Sequence, residues 1–188
     1  MKKQLVILST ILLLIGCGQT KKEKALLSEN AAKPDSTLIS STSEKDSPEN
    51  LMKFRKESLD SEYKSYKIYN LNEIINGDFN GDGVVDKAEF IKQKNSGIII
   101  TDGKSHVQTK LGFGEKFAHM TDFNWVDFWG VLNDPTTFEI LFDDKTGDIS
   151  GDTTVRLKNK SIFVQADEVG GGVITFQNSF YIWIHQSD

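Results

Sequence analysis

Cysteine is almost missing from this 188-residue chain: there is one, Cys17. That excludes an internal disulfide and any cysteine-rich zinc site. Histidine is scarce too, and His106, His119 and His185 show no His-x-x-x-His or similar ligand spacing, so zinc is not expected. Positive charge is short where nucleic acid would need it. Residues 51–188 hold 15 Lys and Arg against 21 Asp and Glu, whereas phosphate binding requires clustered cations. No nucleic-acid partner is expected. The apolar run at residues 5–15 falls short of the roughly 20 residues that cross a ~30 Å hydrocarbon core as a helix. Gly-x-Ser-x-Gly, phosphate-loop and dinucleotide fingerprints are absent as well.

What is present begins at the first residue. Met1-Lys2-Lys3 is a short positive segment, residues 5–15 are apolar, and the run ends at Leu14-Ile15-Gly16-Cys17. This string resembles the lipobox of bacterial lipoproteins. The resemblance implies a signal peptide over 1–16, diacylglycerol on Cys17, and acylation (a palmitate-type chain) of the new amine. Two or three acyl chains, at ~0.8 kcal/mol per buried CH₂, make such anchoring effectively permanent. Gly18 follows the cysteine where an Asp would favour inner-membrane retention under the Gram-negative sorting rule. The expected location is therefore the cell envelope, lipid-anchored, and the outer membrane in a Gram-negative cell. Residues 17–47 are rich in Lys, Glu, Ser, Thr, Asn and Asp, with Pro34 and few apolar groups. Such a stretch buries too little surface to offset its ordering entropy and reads as a flexible tether.

Residues 48–188 then form the expected single domain. Roughly 138 residues suffice for a core, and the 12 Phe and 3 Trp of the chain supply bulk for it. Ser47 suits an N-cap and Pro48 a first turn, so the sequence predicts a helix over 48–62 with an imperfect apolar stripe of Leu51, Phe54 and Leu59. From Tyr66 onward short apolar runs alternate with turn residues. Strands are expected at 98–101, 107–111, 125–132, 138–142, 155–157, 162–166, 173–177 and 180–186. Turns fall at Asp102-Gly103, Asn133-Asp134-Pro135, Asn159-Lys160, Gly170–172 and Asn178-Ser179. The expected fold class is α+β, mainly β: an antiparallel meander with one N-terminal helix and a calcium-type loop between strands. Alternation places Phe180, Ile182 and Ile184 on one face of the last strand, and Tyr181, Trp183 and His185 on the other.

One motif carries chemistry. From Asp78 to Glu89, oxygen side chains fall at positions 1, 3, 5, 9 and 12 (Asp78, Asn80, Asp82, Asp86, Glu89), with Gly83 at position 6. Position 7, Val84, offers its carbonyl. Ca²⁺ is a hard ion that takes 6–8 oxygens at about 2.3–2.6 Å, so alternate residues of a tight loop must point inward. Crowded carboxylates repel without a cation, which couples metal binding to loop folding. The loop resembles that of an EF-hand, but the flanks lack the apolar spacing of EF helices, and Gly77 disfavours a helix before the loop. It looks more like the loop of FG-GAP, integrin-type repeats, where the same Asp-rich turn links strands. That resemblance covers one copy of about ten residues and implies the loop chemistry, not a propeller. In the strand-flanked version Glu89 need not ligate. Calcium is expected as a structural staple, and outside the cytosol the weak end of the range, about 10⁻⁴–10⁻³ M, suffices.

Other signals are read as structure first. The acidic segment 143–152 is expected to be a hairpin turn, and Gly170–172 a turn or bulge. Trp125, Trp129, Tyr181, Trp183 and His185 are candidates for an aromatic ligand face that would take a glycan or an envelope protein. The alternative is a second core layer beneath the N-terminal helix. A non-catalytic, monomeric interaction module is the leading functional expectation. The alternative, a small envelope hydrolase, would use Asp122, Asp127 or His185 beside the aromatic cluster.

Overall fold

The computed structural model describes residues 47–187 except Val169; the lipobox, signal segment and tether lie outside the described residues. Among the described residues no helix is long and apolar enough to cross a membrane. The helix α1, Pro48–Glu62, starts as its cap residues dictate: the Ser47 hydroxyl accepts the Asn50 amide at 3.2 Å, and Pro48 occupies the first turn. Its contact face differs from the expected stripe. Leu59 is buried, but Phe54 is 48% exposed. Arg55 adds polar docking. Its guanidinium grips Asp167 through two bonds of 2.6 and 2.8 Å and lies over the Phe128 ring at 4.6 Å.

Eleven strands follow, all paired antiparallel: β1 Tyr66–Tyr69, β2 Ile75–Gly77, β3 Asp86–Ile91, β4 Gly97–Thr101, β5 Gln108–Gly112, β6 Phe128–Leu132, β7 Thr136–Phe142, β8 Ile149–Arg156, β9 Ser161–Gln165, β10 Gly171–Gln177 and β11 Phe180–Ser187. The mainly-β class with an N-terminal helix is as expected. The connectivity is less simple than one meander. A five-stranded sheet runs β1-β6-β9-β10-β11, a four-stranded sheet is the true meander β2-β3-β4-β5, and β7-β8 is a separate two-stranded ribbon. The four-stranded sheet is thus inserted between β1 and its partner β6, and the ribbon between β6 and β9.

Period-two alternation sorts the five-stranded sheet into two buried faces. Phe128, Leu132, Phe163, Val173 and Ile184 pack with Leu59 and Tyr63 near the helix. Trp129, Val131, Ile162, Val164 and Ile174 pack with Ile75, Phe79, Ala88, Ile98 and Ile100 of the inserted sheet and its loop. Three layers result: helix, five strands, four strands. The buried polar side chains that join α1, β11 and β7 are paired, as the loss of water requires. The Tyr63 hydroxyl donates to Gln186, whose amide donates to Thr137, tying α1, β11 and β7 together. Gly170–172 behaves as expected, with a register shift between Gly171 and Gly172 against β11.

Candidate metal centre

The predicted calcium loop is the connection of the β2–β3 hairpin. Gly77 pairs with Asp86, so residues 78–85 span the turn between two strands, and no helix flanks it. The strand-flanked form therefore describes it better than the helical one. Gly81 and Gly83 adopt φ of 79° and 85°, the left-handed region that a side chain rarely tolerates.

Within the turn, each polar side chain folds back on nearby amides. Asp78 accepts the Gly81 N–H at 2.7 Å on one oxygen and the Gly83 N–H at 3.0 Å on the other. Asn80 Oδ1 accepts the Asp82 amide at 2.9 Å, and Asp82 Oδ1 accepts the Val84 amide at 2.8 Å. These bonds fix the oxygens within the turn, and each oxygen that takes one N–H keeps a second lone pair. Among the described residues Asp82 Oδ2 takes none.

Asp86 and Glu89 sit differently. Asp86 is 1% exposed. Its Oδ2 accepts the Phe79 and Asn80 amides at 2.9 and 3.3 Å, and its Oδ1 accepts the Gly103 amide at 2.9 Å. It holds two hairpins together before it can serve any ion. Glu89 lies within β3, three residues from Asp86, so pleating puts it on the opposite face, where it pairs with Lys87 at 2.9 Å. The structure does not bring Glu89 to the other loop oxygens.

Sequence spacing gave no hint of Asp102. It caps the β4–β5 turn by accepting the Lys104 and Ser105 amides at 2.8 and 2.6 Å, and it accepts the Asn80 side-chain amide at 2.7 Å. Hydrogen bonds to its charged form, led by those from Ser105, hold its carboxyl below the usual carboxylate range. Asp86, Asp102 and Asp78 each act on the Tyr181 phenol, which burial first and then these charges keep protonated. Among the described residues, no three His, Cys, Asp or Glu side chains stand close enough to hold a metal as a group. The oxygen donors that the turn carries are mixed: carboxylates of Asp78 and Asp82, the side-chain amide of Asn80 and the backbone carbonyl of Val84. All are hard oxygen donors, which suits Ca²⁺.

The aromatic candidates separate. Trp129 is fully buried and its indole N–H donates to the Asn70 carbonyl at 2.9 Å, so it belongs to the core and to no surface. Trp125 and Trp183 are half-buried and meet edge to face, with an interplanar angle of 87°, which is not a flat platform. Tyr181 sits apart from them against Phe176. These rings pack toward the inserted sheet rather than beneath α1.

The residues of the hydrolase alternative do not converge. Asp122 accepts the Asn124 amide at 3.0 Å, and Asp127 accepts the Asp167 amide at 2.9 Å. His185 instead meets His119, ring centroids 5.2 Å apart, and its Nδ1 accepts the Trp183 indole N–H at 3.4 Å. Burial first, then the second imidazole, lower the His119 pKa. This histidine pair was hidden in sequence because His119 lies in a loop 66 positions before His185. Of the segment 143–152 expected as a hairpin turn, residues 143–148 form it at the tip of the β7–β8 ribbon, with Asp143 accepting the Lys145 and Thr146 amides, and residues 149–152 belong to β8 instead. No protein-family model, no curated protein and no solved structure matches the chain.

Proposed function

We propose that this chain is a lipid-anchored cell-envelope protein whose β-rich domain is a non-catalytic interaction module rigidified by one structural Ca²⁺. The lipobox-like Leu14-Ile15-Gly16-Cys17 supports the anchor, and the polar stretch 17–47 supports a tether to the domain. One observation carries the calcium part: the side chains of Asp78, Asn80 and Asp82 are held by loop amides along one glycine-bent hairpin turn. Those three, with the Val84 carbonyl, would hold the ion; Asp86 has one lone pair left for it on Oδ1, and Glu89 is not part of the set. The ion would neutralise a turn whose acids otherwise repel, which stiffens the clasp between the β2–β3 and β4–β5 loops.

Two experiments test this reading. In the full chain, calcium at ten times its dissociation constant should add about 1.4 kcal/mol of stability, a rise of a few degrees in Tm that EGTA reverses. Asp82→Ala, which removes Oδ2 and with it the exposed bond from the Val84 amide to Oδ1, should erase the calcium response and lower the EGTA-treated Tm only slightly, because water reaches that amide. An EGTA-insensitive wild type would exclude a structural ion. Separately, Cys17→Ser should move the protein from the membrane fraction to the soluble fraction after cell lysis, and continued membrane retention would refute lipidation.

A further inference from the structure

A second feature adjoins the loop and shares Asn80 with it. Between the β4–β5 hairpin and the β10–β11 hairpin lies a cleft of about 230 Å³ whose lining includes Asp102, Ser105, Thr109, Phe176 and Tyr181. We propose that this cleft binds a primary alkylammonium group, the end of a lysine side chain or of a free aliphatic amine.

Three observations converge on that ligand. First, the cleft contains charge of one sign: Asp102 lines it, none of its lining residues is basic, and Asp102 makes no ion pair among the described residues. Three N–H groups hold the carboxylate in place, and Oδ2 accepts only one of them, so a lone pair stays available. Second, its other walls are aromatic and aliphatic. Phe176 and Tyr181 meet edge to face at 5.0 Å, and Ile100 closes the cleft from β4. Ring faces attract ammonium ions, and apolar walls take up a methylene stem. Third, the Tyr181 hydroxyl has no hydrogen-bond partner among the described residues, so it is free to meet a polar end group. The space admits one side chain rather than a drug-sized molecule. An anionic ligand would face the fields of Asp78, Asp86 and Asp102 together. A flat sugar ring would find no coplanar platform, because the two rings stand at 65° to each other.

The test is a titration of the isotope-labelled full chain carrying Cys17→Ser, followed by amide chemical shifts in millimolar calcium. N-acetyl-lysine methylamide should perturb Ser105, Thr109 and Tyr181 and saturate. The uncharged isostere N-acetyl-norleucine methylamide and methyl glucoside should not. Butylamine distinguishes the sources: saturation by butylamine at the same concentration assigns the site to free amines, and a clear preference for the lysine amide assigns it to a peptide. Asp102→Asn keeps an acceptor for the turn amides, so the fold should persist by melting, while affinity falls about tenfold or more with loss of the charge-assisted contact. Asp82→Ala, outside the cleft, should remove the calcium response and leave amine binding intact, which separates failure of this proposal from failure of the calcium reading. Equal binding of the norleucine amide, binding of the glucoside, or an Asp102→Asn variant as tight as wild type would overturn the proposal.

Discussion

Asp86→Ala should destabilise the domain by about 3–5 kcal/mol even in EGTA, because it strands three backbone amides, each costing ~1–3 kcal/mol when its partner is lost. The amides of Phe79, Asn80 and Gly103 all end on this one buried carboxylate. Water cannot easily replace it: Phe79 is 1% exposed, and a side chain at Gly103 would place its Cβ 2.0 Å from the Val85 carbonyl oxygen, so the two turns are in van der Waals contact. Asp86→Asn retains one acceptor and should lose roughly half as much. Urea denaturation of the three proteins in EGTA makes the comparison, and a loss below about 1 kcal/mol for the alanine variant would mean that the hairpins do not depend on the clasp. A ligand-only role for Asp86 predicts the opposite pattern, a difference seen solely when calcium is present.

The second large effect concerns Trp129. Its side chain is fully buried between the two sheets, stands edge to face with Phe90 at 5.9 Å and bonds the Asn70 carbonyl. Trp129→Ala leaves a cavity and an unpaired carbonyl, at a cost of about 3–5 kcal/mol, a large share of the 5–15 kcal/mol that ordinarily holds a domain folded. Trp125→Ala and Trp183→Ala remove half-buried rings and should cost distinctly less. The midpoints of urea unfolding for the three variants rank them. Equal losses would show that Trp129 is no more central than the rim tryptophans.

Much of the local structure could be read from residue order. The helix begins at Pro48 because Ser47 caps it, and Asp102 turns the chain between β4 and β5 by accepting the Lys104 and Ser105 amides, although the left-handed residue there is His106 (φ 61°) rather than the expected Gly103. The alternation of β9, β10 and β11 shows in their two-faced burial. β8 escaped because Ile149–Arg156 is exposed over nearly its whole length, so no apolar face marks it; only its C-terminal end, Val155 onward, stood out. Strand partners escaped for a different reason. Period-two patterns say which side of a strand is buried but not which strand lies next to it. The pairing of β1 with β6 comes from tertiary packing.

The candidate site was readable to the same depth. The twelve-residue spacing located a glycine-bent hairpin turn whose Asp78, Asn80 and Asp82 bond its own amides, because those contacts follow from consecutive residues. Asp102 and Tyr181 reach the same place only through the fold, and Glu89 leaves it because a strand, rather than a helix, follows the loop. Trp129 was misplaced on a ligand face because a tryptophan in an apolar run looks the same whether one sheet or two will cover it.

The insertion of β2 to β5 bears on how the polypeptide gets from coil to native state. Tyr66 must find Leu132, a distant encounter with a high entropic threshold, whereas the four inserted strands meet only their immediate successors. Once those hairpins have zipped, the intervening chain is already condensed, and the ends destined for β1 and β6 start much nearer each other. The Asp86 clasp joins two of these early hairpins, so a substitution there should be felt in the refolding rate as well as in the equilibrium.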